Sequence, residues 1–269
     1  MTGRANERGA ASDRGYWSHV GEAWKAGRPD RLWRAHSDAV NARLLRRWLP
    51  REEGGRALKT DLFDEAFGEG LEKPLAERCA TLVGIDLSQI VVEEGVRGRS
   101  RLTGVRCDVR ALPFVDGAFT AVASISSLDH FRAEGGVVAA LAELRRVLVT
   151  GGCLILTLDN PANPIVGLRN RLPFRLVHAF GLVPYYVGVT AGHGRARALL
   201  EGAGFEVIEV TALMHCPRVL AVPVCRLVDR LGPGARARLL TFLGAFERLE
   251  AWPTRFRTGH FVALHVVRR

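Results

Sequence analysis

Lysine is nearly missing from this chain. Of its 38 basic residues only Lys25, Lys59 and Lys73 are lysines; the rest are arginine. So strong a bias reflects codon usage as much as function, and the net charge of +10 is better weighed by where it falls. Residues 57–160 carry a net −4, against +5 before them and +9 after. No RNP, KH, helix-turn-helix or zinc-finger signature accompanies the basic flanks, so nucleic acid is not expected as a partner. An acidic substrate or an anionic membrane surface stays open. No apolar run reaches the roughly 18–20 residues that span a bilayer. The opening MTGRANERGAASDRGYW has no apolar stretch of the kind a secretory signal needs. The five cysteines (Cys79, Cys107, Cys153, Cys216, Cys225) are odd in number and never form CxxC. That speaks against a disulfide framework or a zinc site and for a reducing, cytoplasmic setting. A P-loop, a Gly-x-Ser-x-Gly elbow and an HExxH pair are all absent, which removes their chemistries. A dinucleotide fingerprint starting at Gly68-x-Gly70 fails at its third glycine, where Lys73 stands.

What is present is an alternation of short apolar runs and amphipathic stretches. Strands are expected at 57–63, 81–85, 105–107, 118–125, 153–158, 205–213 and 261–267. Helices are expected at about 70–79, 88–96, 134–148 (apolar at Val138, Leu141, Leu144 and Leu148) and 195–204. Such alternation predicts a doubly wound α/β fold around a mostly parallel sheet. Residues 1–14 are expected as a disordered leader. Residues 15–55 are expected as a helical lid holding four of the five tryptophans (Trp17, Trp24, Trp33, Trp48). Residues 56–269 then form the main domain, with cap insertions at about 162–190 and 217–250.

Two acidic residues stand at strand ends. Asp86 closes LVGID and Asp108 closes VRCD, 22 residues later, a spacing that suits strand, helix, strand. Both carboxylates then reach the C-terminal edge of the sheet, where open α/β sheets bind ligands. A carboxylate there can receive both hydroxyls of a ribose. After Asp108 come Leu112-Pro113-Phe114, the Asp116-Gly117-Ala118-Phe119 turn and a buried strand; LLEGAGFEVIEV lies further on, before the last strand.

Together these residues resemble class I S-adenosylmethionine (SAM) dependent methyltransferases of the methyltransferase-11 type, over about residues 56–269. The resemblance implies a seven-stranded Rossmann-like methyltransferase fold with SAM as cofactor. It places Asp86 at the ribose, and Asp108 and Val109 at the adenine, with Leu87 and Ser126 also at the cofactor. The chain departs from the family at the glycine-rich loop, where ALKTDLFDEAFGEG stands. Either Asp61 replaces the usual acid ahead of a longer loop to Gly68 and Gly70, or Asp64 or Glu65 meets the cofactor's ammonium group, which a carboxylate suits.

The chemistry is expected in Ser126-Ser127-Leu128-Asp129-His130, after the fourth strand. His130 can take a proton near neutral pH, with Asp129 orienting it; the plain alternative is a helix cap and a surface histidine. Trp33 and His36 on the lid, Asn160 in a polar turn, and Tyr185 and Tyr186 at the end of the 165–190 insertion are candidate substrate contacts. That insertion reads as a cap over a small-molecule pocket, as an amphipathic element making peripheral membrane contact, or as plain packing on the sheet. The expected function is methyl transfer to a small molecule, with a slight preference for oxygen on a natural-product or glycan intermediate. The alternative is a non-catalytic SAM-binding scaffold or sensor. No metal is expected, and the sequence leaves the oligomeric state open.

Overall fold

The computed structural model describes residues 2–27, 30–50, 54–179, 183 and 185–269, with side chains from Asp13 onward. Pro29, expected at a helix start, and residues 180–182 and 184 of the insertion lie outside the described residues. Helices α1 (Thr2–Gly27) and α2 (Arg31–Trp48) come first. Then follow β1 (Arg56–Lys59), α3 (Phe63–Phe67), α4 (Glu72–Ala76), β2 (Thr81–Asp86), α5 (Gln89–Val96), β3 (Leu102–Arg106) and β4 (Phe119–Ile125). A 3₁₀ turn (Leu128–His130) leads to α6 (Glu134–Val147) and β5 (Leu148–Asp159). The second half holds α7 (Pro164–Arg171), α8 (Phe174–Ala179), α9 (His193–Gly202), β6 (Phe205–Leu213), α10 (Arg218–Val228), α11 (Pro233–Ala245), a 3₁₀ segment (Phe246–Ala251), α12 (Arg255–Thr258) and β7 (Phe261–Arg268).

The seven strands form one sheet in the order β3-β2-β1-β4-β5-β7-β6. All neighbours are parallel except those of β7, which runs antiparallel to both β5 and β6. The central strands β4 and β5 are buried along nearly their whole length, as a sheet covered on both faces requires. One apolar cluster packs α1, α2, α4, α5, α10 and α11 residues on one face. A second packs α6 and α9 residues on the other.

Three expectations are corrected. The first strand ends at Lys59 rather than Phe63, because the Lys59 ammonium is drawn back into the loop that follows it. The core stripe of α6 runs through Val137, Ala140, Leu141, Leu144 and Val147; Val138 is exposed and Leu148 already belongs to β5. Val138 sits six residues before Leu144, on the wrong side of a 3.6-residue helix. The stretch expected as a disordered leader is helical from Thr2, its Ala- and Arg-rich sequence being compatible with a helix. Within the expected lid, α2 is a core element, burying Leu32, Trp33, Val40, Leu44, Leu45 and Trp48. The C-terminal part of α1 adds Val20 and Trp24 to the same cluster, while Trp17 and Trp24 line the cavity at the strand ends.

Candidate cofactor and acceptor site

The ends of β1, β2, β4 and β5 and the turn after β3 meet around one cavity of about 420 Å³, within the ~300–1,000 Å³ range of small-molecule sites. Thr60, Asp61, Asp86, Leu87, Asp108, Val109, Ser126 and Ser127 line one end. Asp86 is anchored where it stands: its Oδ1 accepts the Ser88 amide at 2.8 Å and its Oδ2 the Leu62 amide at 3.3 Å. Burial pushes its pKa up to about 6, against the pull of those amides and of Lys59. Gly84 on β2 permits the approach of Leu62, since a Cβ there would meet the Leu62 side chain at 2.3 Å.

The segment after β1 does not form a glycine loop over the cavity. Lys59 is 1% exposed, and its Nζ donates to the Asp61 carbonyl at 2.8 Å. The same ammonium lies 2.9 Å from Glu65 Oε2, 3.3 Å from Asp61 Oδ1 and 3.7 Å from Asp64 Oδ2. Burial opposes its charge, but the three carboxylates outweigh it and hold the Lys59 pKa above its ordinary value. Asp61 is pushed up to about 7, first by burial and then by its acidic neighbours, with Lys59 pulling the other way. Its Oδ2 is buried without a hydrogen-bond partner. Arg34 binds Asp64 at 3.0 Å and the Phe63 carbonyl at 3.1 Å.

Gly68 and Gly70 sit behind this cluster rather than on the cavity. The Gly70 amide donates to Asp38 at 3.0 Å, and its φ of 74° suits glycine. A Cβ on Gly68 would meet Asp38, and one on Gly70 would meet Glu65. The two open registers of the loop therefore narrow: Asp61 and Asp64 face the cavity, whereas Glu65 is committed to Lys59 and to the Leu71 amide. Lys59, Arg34 and Asp38 escaped the sequence reading. The one available signal was a lysine at the end of an apolar strand in a chain nearly devoid of lysine.

Asp108 is less free than expected. Arg110 grips its carboxylate through Nε at 3.0 and 3.1 Å and through Nη2 at 2.6 Å, and also reaches Asp13 of α1 at 3.4 Å. Ser126 adopts a left-handed backbone, φ 47°, held by its amide donating to Thr157 Oγ1 at 2.8 Å. Its hydroxyl binds Asp129 Oδ2 at 3.1 Å and so serves the protein rather than an open site. Asp129 is fully buried beneath the cavity, and burial raises its pKa to about 6, with His130 opposing.

His130 lies in the wall, its ring centroid 4.8 Å from that of Trp17 and 5.2 Å from that of Tyr185. Its Nδ1 is 2.8 Å from the Tyr186 carbonyl oxygen. A carbonyl only accepts, so Nδ1 carries the proton and neutral His130 keeps its basic lone pair on Nε2. That nitrogen is 3.7 Å from Asp129 Oδ1, too far for a hydrogen bond. The backbone of Tyr186, not Asp129, therefore orients the ring.

Trp17, Trp24, Trp33, Phe63 and Tyr185 line the other end of the cavity, together with Arg34, Ser37, Asn41, Asp159 and Arg218. His178 and Val183 of the insertion also line it, which puts that segment over the pocket. Three expected substrate contacts do not reach it. His36 is buried behind Trp33, 3.5 Å from the Cys216 sulfur, and burial lowers its pKa to about 4. Asn160 is fully buried and donates to the Phe256 and Gly259 carbonyls, tying β5 to the end of the chain. Tyr186 contributes only backbone: its carbonyl to His130 and its amide to the Tyr16 hydroxyl at 2.7 Å. Among the described residues no cluster of His, Cys, Asp or Glu is arranged to hold a metal ion.

Comparison with known proteins bears on the fold that carries this site. A family model described as "Methyltransferase domain" matches residues 65–156. A demethylmenaquinone methyltransferase from Renibacterium salmoninarum is 30% identical over 145 residues, 53% of this chain and 57% of that protein's length. The methyltransferase bound to the Trm112 activator of Haloferax volcanii superposes with a TM-score of 0.59 at 16% identity, over 92% of this chain and 96% of its own. Geranyl diphosphate C-methyltransferase from Streptomyces coelicolor, solved with S-adenosylhomocysteine (SAH), gives 0.55 at 16% identity, over 86% and 79%. At such identities the solved structures speak for the fold alone. The strand order and the acidic strand ends are in keeping with the methyltransferase domain that residues 65–156 match.

Proposed function

We propose that this protein methylates a small-molecule acceptor, and that the acceptor atom is an oxygen. The cavity fits the cofactor by the chemistry of its donors and acceptors. Asp86 offers a fixed carboxylate for the ribose hydroxyls, and Leu87 and Val109 supply apolar walls for a flat ring. The partnerless Asp61 Oδ2, with Asp64 beside it, offers negative charge to an ammonium group where a family glycine loop would present backbone. When bound, SAM supplies an electrophilic methyl group on a sulfonium. The protein's part is then to align the acceptor, exclude water and receive a proton.

The observation that carries the oxygen reading is the fixed tautomer of His130. With Nδ1–H spent on the Tyr186 carbonyl, Nε2 is the nitrogen able to take a hydroxyl proton as the acceptor oxygen attacks. The imidazolium so formed lies 3.7 Å from Asp129 Oδ1, and an ionised Asp129 stabilises it across that gap. The test pairs mass spectrometry of protein purified without added cofactor with a methyl-transfer screen over phenols, alcohols and amines. We expect retained SAM or SAH, and transfer to a hydroxyl. His130→Ala should lower turnover by about 100-fold or more while SAH binding is kept. A loss under threefold would move the acceptor away from oxygen. Cofactor retention without transfer to any acceptor would favour the scaffold alternative.

A further inference from the structure

The acceptor end of the cavity has a cation, Arg218, that feels the charge of Asp159 but holds no carboxylate directly among the described residues. Three carboxylates of this wall, Asp30, Asp64 and Asp159, are each held by another arginine. Arg226 holds Asp30 at 2.5 and 3.1 Å, and Arg34 holds Asp64 at 3.0 Å. Arg169 holds Asp159 at 2.5 Å, with His260 at 3.6 Å. Arg218, at the start of α10, lines the same cavity, yet it has no ion pair and no hydrogen bond among the described residues. Its guanidinium carbon stands 5.8 Å from the centre of the Trp33 ring, a placement that favours the cation and limits its orientations.

Facing it, α2 turns one helical face to the cavity. Arg34, Ser37 and Asn41 fall on that face at i, i+3 and i+7. The Ser37 and Asn41 side chains make no hydrogen bond among the described residues, and the Nε of Arg34 is buried without a partner. This end thus sets an unpaired guanidinium beside two side chains that can both donate and accept. A guanidinium brings five N–H donors, and polar groups withdrawn from water without partners are costly. The missing element is an acceptor group that arrives with a ligand.

We infer that the substrate of this site carries an oxyanion, a carboxylate or a phosphate, held by Arg218 with Ser37 and Asn41 beside it. The inference names the substrate class of the methyl-transfer site and rests on that reading. Planar guanidinium and oxyanion meet in paired hydrogen bonds, which position the group as well as attract it. The aromatic wall of Trp17, Phe63 and Tyr185 leaves an apolar body of the substrate beside the charged group.

The full chain, saturated with SAH, is titrated by calorimetry with benzoate, phenyl phosphate and neutral benzamide. At least one of the two anions should bind roughly tenfold or more tightly than benzamide. Arg218→Gln should erase that preference without changing SAH affinity, and Arg218→Lys should restore part of it. Preference for benzoate assigns a carboxylate, and preference for phenyl phosphate assigns a phosphate. Equal binding of all three, no anion binding, or an unchanged preference in a folded Arg218→Gln protein overturns the inference. If Arg218→Gln fails to fold, Asn41→Ala serves instead and should weaken the favoured anion relative to benzamide. Failure of SAH to bind would count against the methyl-transfer reading alone; the anion series on ligand-free protein then still decides whether Arg218 holds an oxyanion.

Discussion

Two carboxylates at the cofactor end make binding a proton-linked event. In the ligand-free fold Asp61 is pushed up to about 7 and Asp86 to about 6, both by burial foremost, from an ordinary value of 3.8. Raised carboxyl groups hold protons in the folded chain that the unfolded chain has released. The stability they lend is therefore fully present below about 4 and is lost as pH rises through about 6–7. A cationic ligand favours the ionised carboxylates, so SAM affinity should climb between pH 5.5 and 8, with proton release on binding. Calorimetry in buffers of different ionisation enthalpy reads that release; pH-independent affinity would remove Asp61 from the ammonium site. Asp86→Asn keeps an oxygen for only one of the Ser88 and Leu62 amides, which Oδ1 and Oδ2 accept separately, and loses the charge. It should weaken SAM binding by up to ~1.5–3 kcal/mol, the worth of charged hydrogen bonds, and lower the melting temperature. Undiminished affinity would dismiss Asp86 as the ribose ligand.

Helices α1 and α2 differ in how firmly they are held. The latter buries a continuous apolar face against α4, α10 and α11, so removing it would cost core. The later turns of α1 bury Val20 and Trp24 and meet the cavity through a few defined contacts. Arg110 meets Asp13, Trp17 packs on His130, the Tyr16 hydroxyl meets the Tyr186 amide, and Trp24 packs edge-on against Phe63. An element with a smaller buried face opens at lower free-energy cost, and that of α1 is smaller than that of α2. SAH should therefore slow hydrogen exchange in residues 13–27 beyond any change in residues 31–48. Equal slowing in both, or none in α1, would make α1 a fixed wall rather than a closing lid.

At the scale of the whole molecule, ligand binding should register as stability. At 100 times its dissociation constant a ligand of the folded state adds ~2.7 kcal/mol. SAM and SAH should each raise the melting temperature, whereas NAD should not. Gly68 and Gly70 face Asp38 and Glu65 rather than the cavity, so no dinucleotide loop exists for its phosphates. A shift with NAD and none with either adenosyl ligand would reverse the assignment. The sheet and its ligand edge were legible in the sequence, because alternating apolar runs with acidic ends are local patterns. Asp86 after LVGID and Asp108 after VRCD needed only their own strands to reach the C-terminal edge. The loop after β1 was not legible, since the burial of Lys59 depends on Asp61, Asp64 and Glu65 folding back around it. Nor were the roles of His36, Asn160 and Tyr186, whose side chains turn away from the cavity in the packed protein. The sequence by itself determined the alternation, the acidic positions after LVGI and VRC, and the placement of His130 after β4. Only the tertiary structure decided which donors stay unpaired among the described residues, above all Arg218 across from α2, because pairing is settled by residues distant in sequence competing for the same space.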